Sequence, residues 1–389
     1  MLRFWTAGES HGETLVAWLS GLPAGLKIDQ AFLDHELWRR QQGYGRGGRQ
    51  KIERDRAHIV SGVRQGQTIG SPIAILLENK DWKNWEEALP VAPGDPAKHK
   101  AVKSPRPGHA DLAGALKFNF SEARFVLERA SARESAARVA VGAVAKLFLQ
   151  ALDADVLSHV LSVGSVATGE NDVAWEKLRE LSARPEVLLN CADAAAEQRM
   201  KAEVDNALKN GDSVGGVFEV VAHGIPPGLG SYANWDERLD TQLAAAIMSL
   251  QAVKAVEIGS GIAAASLPGS AVQDVIAYDK PAHRFLRRSN RAGGIEGGVS
   301  NGEDIIVRGY LKPISTLRRP LESVDFETRE PVKAAYERSD VCVVPAAGVA
   351  GEAMVALTLA WAAREKFGGD SMDEVQRNFR GYLEQLKDF

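Results

Sequence analysis

The alternation of apolar and polar residues gives the first elements. "TLVAWLSGLP" (14–23) reads as a strand running into a Gly/Pro turn. The helical period follows in "IDQAFLDHELWRRQQ", where Phe32, Leu33 and Leu37 share a face and Asp29 stands at the N-cap. After the Gly-rich loop "GYGRGGRQ" (43–50), "AHIVSGVRQGQTIGSPIAILLE" (57–78) reads as two strands joined by a glycine-rich turn. A polar, Pro-rich loop fills 79–108. "ERASARESAARVAVGAVAKLFLQ" (128–150) reads as one long helix, and its small side chains would let backbones approach closely in the middle of the fold. Two helical stretches richer in charge lie within 170–212.

The opening pattern then returns. Gly12 precedes "GLPAGL" (21–26) as Gly215 precedes "GIPPGL" (224–229), with a strand pattern between and a helical stretch after each, the second being "DERLDTQLAAAIMSLQAV". "GVRQG" (62–66) is echoed by "GVSNG" (298–302). This predicts one α+β layered domain over 1–389, with an internal duplication in halves of roughly 1–150 and 213–360. Chance recurrence of Gly-Pro turns in a large antiparallel fold remains the alternative.

Composition narrows the class. Of 389 residues, 45% are hydrophobic and 25% charged, ordinary for a globular protein. A net charge of -4 gives no electrostatic case for nucleic acid or acidic membranes. The two cysteines, Cys191 and Cys342, are far apart, which argues against a disulfide framework or a cysteine zinc site and fits a reducing compartment. "MLRFWTAGES" lacks a signal-peptide profile, and "VALTLAWAAR" (355–364) is too short to span a bilayer. A cytoplasmic protein without a metal centre is expected.

The positive charge is clustered beside glycines. Arg39, Arg40, Arg46, Arg49, Lys51, Arg54 and Arg56 lie in and around the first Gly-rich loop. Arg124, Arg129, Arg133 and Arg138 surround the start of the small-residue helix, and Arg284, Arg287, Arg288 and Arg291 precede "AGGIEGGVSNGE". Arginine pairs carboxylates and phosphates bidentately, so these clusters suggest a small polyanionic ligand. Ser131 and Glu134 have capping-box spacing, which puts Arg133 in a first helical turn where the dipole disfavours a cation. A bound anion would reverse that penalty, and removing Arg133 should leave the ligand-free protein no less stable. "GYGRGG" follows a helix rather than a strand, so it is not a dinucleotide fingerprint.

Two of the eight histidines stand out. His11 lies in "GESHGE" and His109 in "SPRPGHADLAG", both in Gly/Pro-rich turns suited to general acid–base work. Near the end, Arg338 and Asp340 flank a serine and would face one side of an extended segment. This reads either as a surface ion pair or as a carboxylate held beside an anion-binding arginine.

At these residues the chain resembles the chorismate synthases. The resemblance rests on "GESHGETLVAWLSGLPAG", "RASARESAARVAVGA" and "RSDVCVVPAAGVAGEAM", with "RRQQGYGRGGRQKIERD", "RPGHADLAG", "NRAGGIEGGVSNGE" and "LKPISTL" between them in the family's order. Ala130 departs from the hydroxyl residue common in the family. The resemblance implies a β-α-β sandwich with internal pseudo-symmetry, assembled as a homotetramer. It also implies a reduced-FMN-dependent 1,4-elimination of phosphate from 5-enolpyruvylshikimate 3-phosphate to give chorismate, with no net redox change. By resemblance, Ser10, Arg40, Arg46 and Arg49 would bind substrate. Ser131, Ala132, Arg133, Gln251, Ala252, Gly297, Lys312, Pro313, Ile314, Ser315, Thr316 and Arg338 would hold the flavin. His11 would protonate the departing phosphate, His109 the reduced flavin, and Asp340 would help move a proton at the flavin N5. No second nucleotide-binding domain is legible, so an external reductant is expected to supply reduced FMN. The competing readings are a flavin enzyme with net hydride transfer and a non-enzymatic polyanion-binding protein.

Overall fold

Two antiparallel sheets enclose a layer of helices in the computed structural model, which describes residues 2–47, 54–169, 173–337 and 340–389. The first sheet contains β1 (Arg3–Ala7), β2 (Thr14–Ser20), β3 (His58–Ser61) and β6 (Ile73–Glu78) in the order β1-β2-β6-β3, with the small hairpin β4 (Val63–Arg64) and β5 (Gln67–Thr68) between β3 and β6. The second contains β7 (Asp155–Val163), β8 (Val166–Ala167), β9 (Gly216–His223), β10 (Val253–Ile258) and β15 (Ile305–Leu311) in the order β10-β15-β9-β7-β8. Two hairpins lie between β10 and β15: β11 (Ile276–Asp279) with β12 (Arg284–Arg287), and β13 (Ile295–Glu296) with β14 (Val299–Ser300). A last hairpin, β16 (Glu322–Val324) with β17 (Pro331–Lys333), follows β15.

The same local bonds recur in the two sheets. Thr68 Oγ1 donates to Pro23 O at 2.6 Å and accepts from Leu26 N at 2.9 Å; Ser300 Oγ donates to Pro226 O at 2.7 Å and accepts from Leu229 N at 2.8 Å. β2 and β6 pair Leu19 with Ile73, as β9 and β15 pair Ala222 with Ile305. The hairpin turns Gln65–Gly66 and Gly297–Gly298 both have positive φ, as tight two-residue hairpins require. In register, the counterpart of "GVRQG" is therefore "GIEGG" (294–298), four residues before the expected "GVSNG".

The middle layer is built from α1 (Gln30–Gln41), α4 (Ser135–Gln150), α7 (Leu239–Met248) and α10 (Val344–Phe367). Asp29 caps α1 as expected, accepting from Ala31 N at 2.9 Å and Phe32 N at 3.2 Å. The small residues of α4 let it meet α10 closely: a Cβ added at Gly142 would lie 2.3 Å from the Cβ of Ala353. Among the described residues α10 alone is long and apolar enough to cross a membrane, and 89% of its apolar window is buried in the fold. Its one central acid, Glu352, binds Arg39 and Lys146, which also bind Glu36. Arg39, counted above with the loop cations, is thus a core residue, because its charge is matched by buried carboxylates.

The expected helix over 128–150 is broken. α3 (Arg124–Ala130) ends where Ser131 turns extended (φ -63°, ψ 140°), one tight turn spans Ala132–Glu134, and α4 then begins. α2 (Asp111–Phe118) precedes α3. The capping box does not form there. Ser131 Oγ accepts from Arg133 N at 3.3 Å, while the Glu134 carboxylate is drawn away to Thr6, Arg138 and Gln251. A capping box does form at Ser371 and Glu374, where α11 (Met372–Asp388) starts. On the outside lie α5 (Trp175–Ser182), α6 (Ala194–Asn210) and the single turns α8 (Gly261–Ala264) and α9 (Gly269–Val272).

Candidate active site

Both central helices begin at one cavity of about 610 Å³, bounded by Ser135 at the start of α4 and by Val343, Ala346 and Ala347 at the start of α10. Their positive dipole ends therefore face it. Ser10, His11, Arg40, Arg46, His109, Ser131, Ala132, Arg133, Gln251, Ala252, Lys312, Ile314, Ser315, Thr316 and Asp340 all line it. The fold thus gathers residues spread over 330 positions of sequence.

His11 sits in the turn between β1 and β2. Its Nδ1 lies 2.9 Å from Glu128 Oε1, and its backbone N–H donates to Glu128 Oε2 at 2.7 Å. The Trp85 ring stacks on the imidazole at 3.9 Å between centroids. Burial opposes the charge on Glu128, but the hydrogen bonds from His11 outweigh it and hold the carboxyl below its ordinary range.

His109 repeats this arrangement at the start of α2. Its Nδ1 lies 2.5 Å from Asp111 Oδ1 and 3.0 Å from Arg106 Nη2. Arg106 also donates to Asp111 from Nε at 2.8 Å and to Thr316 Oγ1 from Nη1 at 2.8 Å. Asp111 is fully buried, which alone would raise its pKa; the bonds from His109 and Arg106 prevail and hold it far below the usual carboxylate range.

The arginines are held before any ligand arrives. Arg40 donates from Nε to Ser135 Oγ and from Nη2 to Ala132 O, both at 2.9 Å. Arg133 is buried on Asp55, with Nη1 2.6 Å from Oδ2. It is thus neither a solvated residue nor an unmatched cation at a helix start, because a carboxylate remote in sequence neutralises it. Arg46 Nη1 lies 2.9 Å from Asp340 Oδ2, and Asp340 Oδ1 accepts from Gly47 N at 2.5 Å. Asp340 therefore holds the Arg46–Gly47 part of the Gly-rich loop.

Elsewhere in the lining, Lys312 Nζ donates to Gly108 O at 2.8 Å and Ser315 Oγ at 2.9 Å. Burial, with the Lys254 charge nearby, lowers its pKa. Gln251 Nε2 donates to Glu134 Oε2 at 3.0 Å, and Ala252 takes a positive φ of 69°. Leu127, Leu250 and Leu311 supply apolar wall.

Some expected residues fall elsewhere. Gly297 is not among the lining residues; it forms the β13–β14 turn, where its φ of 60° gives a structural reason for glycine. Pro313 belongs to the Lys312–Thr316 run but does not line the cavity. The arginines at 284–291 do not line it either: Arg287 pairs with Glu296, and Arg291 with Asp274. Arg49 and Arg338 lie outside the described residues, as does the expected pairing of Arg338 with Asp340.

The family model described as chorismate synthase matches residues 2–363. Chorismate synthases of Koribacter versatilis, Acidobacterium capsulatum and Geobacter sulfurreducens are 70%, 66% and 54% identical, each aligned over 100% of both chains. A crystal structure of chorismate synthase superimposes with a TM-score of 0.80 at 40% identity, covering 100% of this chain and 99% of that one. The chain belongs to the chorismate synthase family. Its activity is that family's: a flavin-dependent carbon–oxygen lyase of the shikimate pathway, acting on a small-molecule substrate.

For a chorismate synthase cavity, the residues that sequence reading missed are the buried acids. Asp55, Asp111 and Glu128 each hold a cavity cation or histidine. Asp111 stood two positions from His109 inside a quoted motif, so its spacing was a usable signal. Asp55 closes the motif "RRQQGYGRGGRQKIERD", but its partner Arg133 lies 78 residues away and His11 lies 117 from Glu128, so spacing alone paired neither.

Proposed function

We propose that this cavity takes reduced FMN and 5-enolpyruvylshikimate 3-phosphate together and catalyses the 1,4-elimination that gives chorismate and phosphate. The observation that carries this reading is two carboxylate-held histidines facing the same cavity as Arg40, Arg46, Arg133 and Lys312.

The lining fits both ligands by its donor set. Arginine forks, Lys312 Nζ and hydroxyls suit phosphate and carboxylate groups, and the leucine and alanine wall suits a flat ring. Ser131, Ala132, Arg133, Gln251, Ala252 and the Lys312–Thr316 run would hold FMN, with Gly297 and Arg338 assigned by resemblance. Ser10, Arg40, Arg46 and Arg49 would hold the substrate. When bound, reduced FMN supplies an electron transiently and recovers it, so no reductant is consumed.

The chain's own residues handle charge and protons. The arginines offset the substrate's negative charge and orient it. His11 gives a proton to the departing phosphate oxygen, since phosphate leaves poorly as an unprotonated anion. His109 would give a proton to the bound reduced flavin, and Asp340 would help move one there. We further propose a cytoplasmic homotetramer whose FMN is reduced by an external reductant. The chain would be one domain of duplicated halves, roughly 1–150 and 213–360; the matching bonds of Thr68 and Ser300 support the duplication.

The test is an anaerobic assay with the phosphorylated substrate. Phosphate and chorismate should form with reduced FMN and fail to form without it. Equal product without flavin, or none with it, would refute the reading.

A further inference from the structure

We propose that Glu128 is a positioning residue that fixes the tautomer of His11, so that the proton His11 gives up comes from Nε2. The inference rests on the reading of His11 as the proton donor.

The Glu128 side chain is only 2% exposed, and both its oxygens are turned to His11. The main chains are tied together as well, because Glu128 O accepts from Ser10 N at 2.9 Å. Three bonds thus join α3 to the turn that carries the histidine, and Trp85 stacked on the ring restricts its rotation. An ionised carboxylate accepts hydrogen bonds and cannot donate them. The short contact at Nδ1 is therefore satisfied only when Nδ1 carries hydrogen. A neutral His11 then has its lone pair on Nε2, and a protonated one donates from Nε2.

The charged surroundings leave this bond in place. Arg124 approaches Glu128 Oε1 only to 3.4 Å, with its Nε given to Lys100 O and its Nη2 to Glu337. Lys100 lies over the Trp85 ring at 3.9 Å, not on the carboxylate. Asp111, by contrast, shares its oxygens between His109 and Arg106, so its histidine has a rival donor at Nδ1.

Across the 1,4-elimination, the C–O bond to phosphate breaks with its electron pair left on the phosphate oxygen, while the C–H bond at the far end of the allylic system is lost and its electron pair forms the second double bond of the conjugated diene. The proton on Nε2 moves to that oxygen. His11 ends neutral with hydrogen on Nδ1, and Glu128 remains an anion throughout. Turning Glu128 into an amide removes the obligatory acceptor, since glutamine can equally donate to Nδ1 and leave hydrogen on Nε2.

Two measurements test this. In the wild-type full chain, ¹⁵N resonances of labelled histidine should show neutral His11 as the Nδ1–H form; an Nε2–H form would overturn the proposal without any variant. Second, E128Q should lower kcat by roughly 10²-fold or more while KM stays within about twofold, the pattern of lost proton transfer with binding kept. H11A runs in parallel. If H11A loses turnover and folded E128Q keeps wild-type kcat, the role of Glu128 is refuted and that of His11 stands. If H11A keeps wild-type turnover, the proton-donor reading itself fails. Should E128Q not fold, the ¹⁵N measurement on the wild-type chain decides alone: the Nδ1–H form is expected, and the Nε2–H form would overturn the proposal.

Discussion

Asp55 joins two arginines of the cavity: its Oδ2 accepts from Arg133 Nη1 at 2.6 Å and stands 3.8 Å from Arg40 Nη1. With its side chain fully buried, this acid holds Arg133 and offsets the repulsion between the two cations before an anion binds. A ligand phosphate would enter a site already shaped for it, at little reorganisation cost.

The first prediction follows from that bridge. D55N should be less stable than wild type without ligand, since the buried Arg133 guanidinium loses the carboxylate that it meets at 2.6 Å. Saturating inorganic phosphate should raise its Tm by more than it raises that of wild type, because the anion then takes over the lost role. Equal increments in both proteins would show that Asp55 does not organise the anion site.

R133A should cost about 3–5 kcal/mol of stability in the ligand-free protein, as expected for removing one partner of a buried pair. Read from sequence alone, the same change should cost nothing, because Arg133 stood as an unmatched cation in a first helical turn. Urea unfolding of the apo protein decides between them.

That reversal marks the limit of what the chain discloses. The Asp29 cap, the strand at Thr14–Ser20 and the burial of the small-residue helix all follow from neighbours within a few positions. His11, His109 and the Lys312–Thr316 run were legible as motifs. The break at Ser131 was not, because Glu134 is satisfied by Thr6 and Gln251, which only the fold brings near. For the same reason Arg39 read as a loop cation, when its partner Glu352 lies 313 residues away.

G142A tests the central helix contact. Alanine is the better helix former by about 1 kcal/mol, yet its methyl would meet the backbone of Ala353, at 2.6 Å from Cα. Overpacking of this kind typically costs about 1–3 kcal/mol, so a net loss of Tm is expected in thermal melts. A rise in Tm would mean that α4 and α10 separate freely.

Acid should unfold the protein through its buried carboxylates. Burial works against ionisation of Glu36, but Arg39 and Lys146 outweigh it and bring its pKa from the ordinary 4.5 to about 2. A depressed folded-state pKa gives stability that is present above the unfolded value and lost as pH falls through the folded one. Asp111 and Glu128 shift in the same direction. Urea midpoints should therefore fall progressively below about pH 4.5. E36Q should start lower at neutrality and lose less on acidification; an equal loss in both proteins would place the acid sensitivity elsewhere.

The most direct test of the whole account is a count of reducing equivalents. Enzyme is supplied anaerobically with a limiting, measured amount of reduced FMN and a large excess of 5-enolpyruvylshikimate 3-phosphate, and phosphate release and flavin absorbance are followed together. The account predicts phosphate in many-fold excess over flavin, with the flavin still reduced at the end. Phosphate that stops at one equivalent per flavin, with the flavin oxidised in step, would contradict it and mark the chain as an enzyme of net redox chemistry.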